Sequence, residues 1–442
     1  MLPELFLQRL ASQLGDEFDA YLQSLDRPRA VALRFNPLKT ESFPALPFVG
    51  EPVPWAQYGY YYDPEARPGL HVWHEAGLYY LQEASAMAPV TLLDPQPGEI
   101  ICDLCAAPGG KTTQIAAKMA GQGLLVCNEI NPKRSRILAR NIERMAVSNA
   151  LVLNHHPSEL ERHFTGAFDK VLVDAPCSGE GMFRKEEAAV TDWSPETVAM
   201  CASRQAEILK TAAKLLRPGG RLVYSTCTFA PEEDEGAISE FLKSHPDFSI
   251  EQVSAPSLSP GRPDLAEDPA PGLEHTFRLW PHHQHGEGHY AAVLRKAGNE
   301  ESTLKPSKPE RIPKEWQDFA KTAGISLPEG KPIPFRNNSL FWAPLALPDL
   351  TRLKVLRPGL ELGECKKGRF EPAHALALWL SDCASLQDYA PDSPEIAAYI
   401  HGEVIPSAQK GWTLVTAGNL SIGWGKGDGR VLKNHYPKGL RR

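Results

Sequence analysis

Residues 99–112 read EIICDLCAAPGGKT, and this stretch decides the fold. The apolar run at residues 99–103 predicts a short buried strand, and residues 111–119 predict a helix. Between them lies a loop of small residues and two glycines, through which a backbone can approach a ligand closely before a helix N-terminus. A phosphate-binding GxxxxGK[ST] loop is not matched, because no glycine stands five residues before Gly110. The loop is a candidate ligand site, with a plain strand–helix turn as the alternative.

An alternation of strands and helices continues from this point. Further strands are predicted at residues 123–127, 150–153, 170–173, 221–225 and 289–296. Asn131 is the expected N-cap of one helix, and Ser194 opens a long one that stops at the Pro-Gly-Gly of residues 218–220. Continuously apolar strands that alternate with helices predict an α/β fold with a doubly wound, mostly parallel sheet covered on both faces.

The remainder of the chain divides around this sheet. A length of 442 residues predicts two or three domains. The predicted division is an α+β region at 1–75, the sheet domain at 76–296, a linker and small connecting region at 297–345, and a small mixed domain at 346–442. Within these we expect one amphipathic helix near residues 2–25, a proline-rich surface insertion at 254–272, and strands at 411–415 and 420–424.

Composition excludes several classes of protein. The formal net charge of −7 excludes a globally basic nucleic-acid coat, although the last 22 residues carry six basic side chains against Asp428 alone. The longest apolar stretch, residues 375–380, is far short of the ~20 residues that a membrane helix needs, and residues 1–18 do not form a signal peptide. Eight cysteines predict reduced thiols and a cytoplasmic location.

Chemically active residues follow the predicted strands. Glu129 follows the second strand, where doubly wound nucleoside binders hold ribose, and together with the loop ~20 residues earlier it indicates an adenosine-type cofactor. Adjacent fourth and fifth strands would bring Asp174, Cys177 and Cys227 to one cleft, the alternative for the cysteines being buried structural thiols.

A metal site is not expected. Cys102 and Cys105 have CxxC spacing, but Cys102 lies within a strand and no second CxxC follows. A histidine cluster also suggests metal binding but lacks a second ligand group; it comprises His282, His283, His285 and His289.

The motifs as a set resemble the Nol/Nop/Sun family of RNA cytosine-5 methyltransferases, bacterial RsmF-type branch. The resemblance is carried by LRFNP at 33–37, YLQEAS at 80–85, residues 105–112, 174–181 and 225–228, RLWPH at 278–282, and LKNHYPKG at 432–439. It implies S-adenosylmethionine as cofactor, a Rossmann-like methyltransferase sheet, and a carboxyl-terminal PUA-like RNA-binding domain. The implied partner is 16S ribosomal RNA, either free or within the small subunit, and we expect a monomer that binds neither membrane nor metal.

The resemblance also implies the roles of individual residues. Cys227 is the nucleophile, Asp174 acts on ring nitrogen 3 and the exocyclic amine, and Cys177 assists proton removal and release. To act as an acid, Asp174 needs a raised pKa, which desolvation in a closed cleft can supply. The expected cofactor-binding residues are Cys105, Ala106, Ala107, Pro108, Gly109, Gly110, Lys111, Glu129, His156 and Asp174. Lys111 also reaches the base, whereas His156 stands where the family usually has an acid.

Three further residues and the effect of a truncation can also be predicted. Arg184 and Lys185 are either phosphate contacts or a solvated charge pair, and Trp193 is expected to pack rather than stack on a base. We expect truncation near residue 300 to weaken RNA binding while cofactor affinity is kept.

Other functions remain open at this point. The same chemistry on transfer RNA is the first alternative, and a noncatalytic ribosome-assembly factor with a vestigial pocket is the second. The presence of Asp174, Cys177 and Cys227 together argues against a decayed site. An amino-methyltransferase would need no nucleophilic cysteine, and its usual Asn/Asp-Pro-Pro-aromatic turn is absent.

Overall fold

The computed structural model describes residues 2–442, beginning with two short helices and a four-stranded antiparallel sheet of order β2-β3-β1-β4. The helices and strands of this region are α1 (Glu4–Leu14), α2 (Phe18–Leu25), β1 (Ala32–Phe35), β2 (Val49–Pro52), β3 (Gly59–Tyr62), α3 (Val72–Glu75) and β4 (Tyr79–Leu81). The expected single helix near residues 2–25 is wrong. Gly15, whose φ of +53° lies in the left-handed region, ends α1, and a short 3-10 turn separates it from α2.

The central domain is built on a ten-stranded sheet of order β11-β12-β13-β9-β8-β5-β6-β7-β16, with β10 paired to β13. Its strands are β5 (Ile100–Asp103), β6 (Leu124–Asn128), β7 (Ala150–Leu153), β8 (Phe168–Asp174), β9 (Leu216–Thr226), β10 (Phe248–Ile250), β11 (Ser259–Pro260), β12 (Phe277–Leu279), β13 (His289–Lys296) and β16 (Val355–Pro358). Its helices are α4 (Ala88–Leu93), α5 (Gly110–Met119), α6 (Pro132–Arg144), α7 (Glu161–Phe164), α8 (Glu187–Asp192), α9 (Pro195–Leu215) and α10 (Glu235–Ser244).

The five consecutive strands β5 to β9 are parallel, and apolar side chains cover both faces of the sheet. Alternate residues belong to opposite clusters, Ile101 to one face and Cys102 to the other, which confirms the predicted doubly wound α/β class. The side chains of Asn131 and Ser194 cap α6 and α9 as expected. The helix α9 ends at Leu215, and β9 begins at Leu216, five residues before the predicted strand start.

The carboxyl-terminal part holds two further sheets, of orders β14-β15-β17-β18 and β19-β21-β22-β23-β20. The elements of the first sheet and its helices are α11 (Lys314–Ala323), β14 (Lys331–Pro334), β15 (Ser339–Ala343), β17 (Leu360–Lys366), β18 (Arg369–Pro372) and α12 (His374–Trp379). The second comprises β19 (Leu386–Tyr389), α13 (Pro394–His401), β20 (Ile405–Pro406), β21 (Lys410–Ala417), β22 (Leu420–Asp428) and β23 (Val431–Asn434). Residue 346 lies between β15 and β17, which pair with each other, and the predicted domain division stays a prediction.

The amino- and carboxyl-terminal regions pack on one another. Their shared apolar cluster contains Phe35 and Tyr79 from the first region and Tyr399 from the last. Trp73 donates its indole N–H to the carbonyl of Ala417 at 2.8 Å. Among the helices of residues 2–442, none combines the length and apolar character that crossing a bilayer requires.

The strand β16 comes from the carboxyl-terminal part but pairs antiparallel with β7 of the central sheet. The backbone N–H of Lys354 donates to Nε2 of buried His155 at 2.8 Å, and the Arg357 guanidinium lies 2.9 Å from the Glu143 carboxylate. The carboxyl-terminal part therefore completes the edge of the central domain as well as forming its own sheets.

Removing residues 300–442 is expected to destabilise the central domain, so the expectation that such a truncation keeps cofactor affinity depends on how far that domain stays folded. The loss of β16 leaves the edge of β7 unpaired, and an exposed apolar edge strand favours aggregation. Thermal unfolding followed by circular dichroism, with light scattering, measures the effect. A chain that ends at residue 385 retains β16, so it should unfold at a higher temperature than the chain that ends at residue 299. Equal unfolding temperatures for both truncations and the full chain would contradict this role of β16.

Candidate active site

Two thiols meet where β8 and β9 end. These neighbouring parallel strands pair Asp174 with Ser225, so the turns that follow them emerge side by side. The sulfurs of Cys177 and Cys227 lie 3.3 Å apart, and the backbone N–H of Cys227 donates to Sγ of Cys177 at 3.4 Å. Both cysteines are partly exposed, which does not fit the alternative of thiols buried in an apolar interior. The structure thus brings together the pair that the motifs indicated.

The two thiols differ in environment. The hydrogen bond with Cys227, followed by burial, raises the pKa of Cys177 well above its usual value. Cys177 is therefore a protonated thiol at neutral pH as long as the sulfur of Cys227 stands beside it.

Asp174 lies beside this pair but does not have the expected raised pKa. Its Oδ2 is 2.8 Å from the Lys111 ammonium, and its Oδ1 accepts a hydrogen bond from the Ser225 hydroxyl at 3.0 Å. Burial by itself raises the pKa of Asp174, but the charge and hydrogen bond of Lys111 outweigh it and bring that pKa below its usual value. In the free protein Asp174 is therefore a carboxylate paired with Lys111, and it lacks the raised pKa that it needs to act as an acid.

A buried carboxylate that the motifs did not single out fixes the two turns. Glu180 accepts hydrogen bonds from the Thr228 hydroxyl and the Phe229 backbone N–H, both at 3.0 Å, and from the indole of Trp193 at 2.9 Å. Trp193 is 7% exposed and packs edge-on against Phe6, as expected of a packing residue. Glu180 lies within the motif at 174–181, so its position in the sequence was its only signal.

A second buried acid supports the turn after β8. Glu233 accepts hydrogen bonds from the Ser178 backbone N–H at 3.0 Å and from the Gln205 amide at 2.7 Å. Burial raises the pKa of Glu233 to about 7. Nothing in the sequence distinguished this residue, because its partners lie 28 and 55 positions away.

The candidate cofactor loop, Cys105 to Gly109, joins β5 to α5 and is held by its neighbours. The backbone N–H of Ala106 donates to the Asn128 carbonyl at 2.9 Å, while the carbonyls of Ala107 and Pro108 accept from Arg134 at 2.6 Å and Asn141 at 2.9 Å. Gly109 has a φ of +113°, a conformation that favours glycine, and Gly110 begins the helix. Burial raises the pKa of Cys105, so this thiol stays protonated.

Glu129 follows β6, the strand next to β5. Its carboxylate accepts the backbone N–H of Asn131 at 2.8 Å and lies 3.4 Å from the Arg134 guanidinium. The Thr112 hydroxyl donates to Oδ2 of buried Asp103 at 2.6 Å, whereas Oδ1 of Asp103 has no hydrogen-bond partner among residues 2–442. Two acidic acceptors therefore stand at the ends of adjacent strands, beside the glycine loop.

His156 and Arg184 are already engaged in local contacts. His156 is exposed and caps a short turn through the backbone N–H of Ser158. Arg184 donates to the Arg27 carbonyl at 2.6 Å and its side chain is only 15% exposed, so the alternative of a solvated charge pair is wrong for Arg184. The adenine contact of His156 stays a prediction.

The four histidines of residues 282–289 do not form one cluster in the structure. His289 lies 3.8 Å from Asp174, and His285 packs on Tyr61. His282 and His283 instead meet Glu17 of the amino-terminal region, at 2.9 and 2.8 Å. A carboxylate distant in the sequence therefore lies beside two of the four histidines, and the expectation that the protein binds no metal stays a prediction.

The chain matches family models of known proteins over most of its length. Four family models match in succession: the N-terminal domain of 16S rRNA methyltransferase RsmF at residues 2–84, 16S rRNA methyltransferase RsmB/F at 90–295, the RsmF rRNA methyltransferase first C-terminal domain at 318–380, and the methyltransferase RsmF PUA domain at 387–442. The last match spans the five-stranded sheet.

Relatives and a solved structure agree with these matches. Ribosomal RNA small subunit methyltransferase F of Vibrio vulnificus strain YJ016 is 34% identical, covering 100% of this chain and 98% of its own. The same-named protein of Vibrio cholerae strain M66-2 is 32% identical, covering 100% and 98%. A methyltransferase homolog protein from Pyrococcus horikoshii is 28% identical with a TM-score of 0.57, covering 66% of this chain and 95% of its own.

The doubly wound sheet with its glycine loop and paired thiols is thus that of a Rossmann-like methyltransferase, extended at its carboxyl end by a PUA domain. The chain belongs to the 16S rRNA methyltransferase RsmB/F family. The resemblance drawn from the sequence motifs, and the enzyme class it implied, are confirmed.

Arg278 is a buried, ion-paired arginine next to the site, and we expect its replacement to lower the stability of the fold strongly. Arg278 is 1% exposed and contacts two fully buried carboxylates, Asp234 at 3.2 Å and Glu235. Replacing Arg278 with Met leaves both carboxylates without their cation, so we expect a loss of about 3–5 kcal/mol in the free energy of unfolding. Urea unfolding measures this loss. Arg262→Met is the control, since Arg262 is 35% exposed and pairs with exposed Asp264; equal losses in both variants would contradict the prediction.

Proposed function

We propose that the protein transfers a methyl group from S-adenosylmethionine to carbon 5 of cytosine in small-subunit ribosomal RNA. The observation that carries the proposal is the contact of the Cys227 and Cys177 sulfurs beside the Asp174–Lys111 pair. The substrate follows from the names of the relatives, which are small-subunit ribosomal RNA methyltransferases. The implied division of the chain gives 1–75 and 346–442 to RNA binding.

The residues at the ends of β5 and β6 fit the cofactor. Residues 105–111 would surround its methionine portion, and Glu129 offers acceptors to ribose hydroxyls. Asp103 Oδ1, buried without a partner among residues 2–442, is an acceptor of the kind that an ammonium group requires. When bound, the cofactor supplies an electrophilic methyl group.

The two thiols act as the nucleophile and the base of the reaction. Carbon 5 of cytosine is too weak a nucleophile to attack the methyl group, but sulfur addition at carbon 6 turns the ring into an enamine. The Cys227 thiolate adds to carbon 6 and carbon 5 takes the methyl group. Cys177, once it is a thiolate, then takes the carbon 5 proton so that the carbon–sulfur bond can break and the RNA can leave. Without this second step the RNA stays bonded to the protein.

Asp174 and Lys111 orient the base. As a carboxylate, Asp174 accepts an N–H of the exocyclic amine, while Lys111 donates to the ring. Asp174 is about one-third exposed in the free protein; a bound base covers it, which raises its pKa toward that of a proton donor for nitrogen 3. The base reaches these groups only when flipped out of its stack, at a cost of a few kcal/mol.

The measurement that tests the proposal is transfer of a tritiated methyl group to isolated small ribosomal subunits, to free 16S ribosomal RNA and to transfer RNA. Label in ribosomal RNA, recovered as 5-methylcytosine, supports the proposal. Label in transfer RNA alone would support the transfer RNA alternative, and no label in any substrate would support a noncatalytic assembly factor.

Basic side chains of the carboxyl-terminal sheet give a separate prediction about RNA binding. Lys426, Arg430 and Lys433 are exposed, whereas Arg442 donates to the carbonyls of Gly69 and Leu70 and so holds the amino-terminal region. Replacing the first three with Ala should reduce the slope of log affinity against log salt by about 0.7 for each phosphate that the protein no longer neutralises. Filter binding over a salt series measures the slope. Lys210→Ala, on an exposed position of α9, is the control, and an unchanged slope in the triple variant would exclude this surface.

A further inference from the structure

Three potential metal ligands converge at the junction between the amino-terminal region and the central domain. Glu17 lies in the 3-10 turn between α1 and α2, and His282 and His283 lie in the loop between β12 and β13. Oε2 of Glu17 is 2.9 Å from Nε2 of His282 and 2.8 Å from Nε2 of His283. All three ligand atoms lie within 4.8 Å of one another.

The two histidine rings are held in this convergent arrangement by their surroundings. The side chain of His282 is 2% exposed, and its ring centroid lies 6.0 Å from that of Tyr21 and 5.9 Å from that of Trp280. The ring of His283 packs on it, and Nδ1 of His283 lies 3.2 Å from the Ser259 hydroxyl. Two adjacent side chains therefore direct their Nε2 atoms to one point.

The far nitrogen of the His283 ring is suited to metal binding at Nε2. When Nε2 binds a metal, the ring proton sits on Nδ1, and that of His283 can then donate to Ser259, as outer partners of metal-bound histidines do. Nδ1 of His282 is buried and has no partner within residues 2–442, so no contact there forces its proton onto Nε2.

We propose that Glu17, His282 and His283 form a binding site for a divalent transition-metal ion of the zinc type. Two imidazoles and one carboxylate are a zinc ligand set, and hard cations such as Mg²⁺ prefer oxygen ligands alone. Glu17 and His283 are 52% and 41% exposed, which leaves one side open for water as the fourth ligand.

The bound ion joins α1 and α2 to the loop that precedes β13. That loop supports the catalytic turn, because Trp280 stacks on Phe229 at 4.9 Å, two residues beyond Cys227. The ion therefore stabilises the docking of the amino-terminal helices against the wall of the active site. The ion takes no part in methyl transfer, so the proposal of a metal site does not depend on the proposed function.

The test uses the full chain without a polyhistidine tag, stripped of metal by a chelator. Calorimetric titration with ZnCl₂ should show one equivalent bound, CoCl₂ should give the visible absorption of a four-coordinate ion, and MgCl₂ should give neither. The melting temperature should rise with zinc and fall again when the chelator is added.

Exposed ligands allow variants that keep the fold. Glu17→Gln retains a hydrogen-bond acceptor for both histidines, and His283→Asn changes an exposed ring, so both chains should fold. Each should weaken zinc binding at least about tenfold, since even the loss of an outer partner costs 10–100-fold. Asp16→Asn, in the same turn, and His285→Asn, in the same loop, are matched controls that should bind zinc as the unmodified chain does.

Two results would overturn the proposal. If the stripped chain binds no zinc, hydrogen bonds alone hold the three groups together. If Glu17→Gln and His283→Asn bind zinc as tightly as the controls do, the ion sits elsewhere.

Discussion

Cys227→Ala is expected to abolish methylation, with a fall in rate on the order of 10⁴-fold or more, as befits removal of a covalent nucleophile. The variant also loses covalent trapping on RNA that contains 5-fluorocytosine, because fluorine cannot leave as a proton does and the adduct forms only through sulfur. Cys227→Ser should behave in the same way, since an unactivated hydroxyl is a poor nucleophile. Tritium release and a denaturing gel with labelled RNA measure the two losses.

The fold should tolerate this substitution. Cys227 is partly exposed at the end of a turn fixed by Glu180, and its side chain fills no part of the apolar clusters of residues 2–442. Cys365→Ala, a partly exposed thiol on β17, is the control and should retain both activity and trapping. Residual turnover in Cys227→Ala near that of the control would exclude Cys227 as nucleophile.

Cys177→Ala is expected to have the opposite effect on the adduct: RNA attaches but does not leave. The variant should accumulate a gel-stable complex with ordinary, unfluorinated RNA, at no more than one methyl group per protein molecule. The physical reason lies in the 3.3 Å contact of the two sulfurs. This contact is why we expect Cys177 to take the carbon 5 proton, whose removal expels the sulfur of Cys227.

The raised pKa of Cys177 in the free protein agrees with this order of events. Its largest cause is the hydrogen bond with Cys227, and burial comes second. Once Cys227 is bonded to carbon 6 it is a thioether, which is only a weak hydrogen-bond acceptor and carries no charge. We therefore expect the pKa of Cys177 to fall in the adduct, which makes this thiol a better source of thiolate at the step that needs a base.

The double variant Cys177→Ala/Cys227→Ala is the control, and it should give no complex, since the trapped sulfur is absent. Multiple turnovers by Cys177→Ala at the rate of the unmodified chain would assign the release step to another group.

Sequence patterns predicted which side chains of the candidate site lie close together, because those side chains follow regular elements. Strands that alternate with helices place their carboxyl ends at one edge, so Asp174, Cys177 and Cys227 could be expected to meet before any distance was known. Residues whose roles depend on partners distant in the sequence were not predicted. Glu233 and Glu17 give no signal in a motif, and they matter because Ser178 in one case and His282 in the other come to them in space.

The sign of the Asp174 pKa shift shows the same limit. Burial in a cleft predicts a raised pKa for Asp174. The Lys111 ammonium, on the helix α5 that follows the neighbouring strand β5, lies 2.8 Å away and lowers that pKa instead. A pattern of residue types states which groups are near the strand ends. It does not state which charge lies closest to which.

By itself, the sequence determined the α/β class, the glycine loop, the paired cysteines and the family, because apolar periodicity and motif spacing are local properties of the chain. The tertiary structure alone decided the return of β16 to the edge of the central sheet, the ionised state of Asp174 and the meeting of Glu17 with His282 and His283. Each of these depends on contacts between segments far apart in the chain. Such contacts are set by the packing of whole elements, which no local pattern encodes.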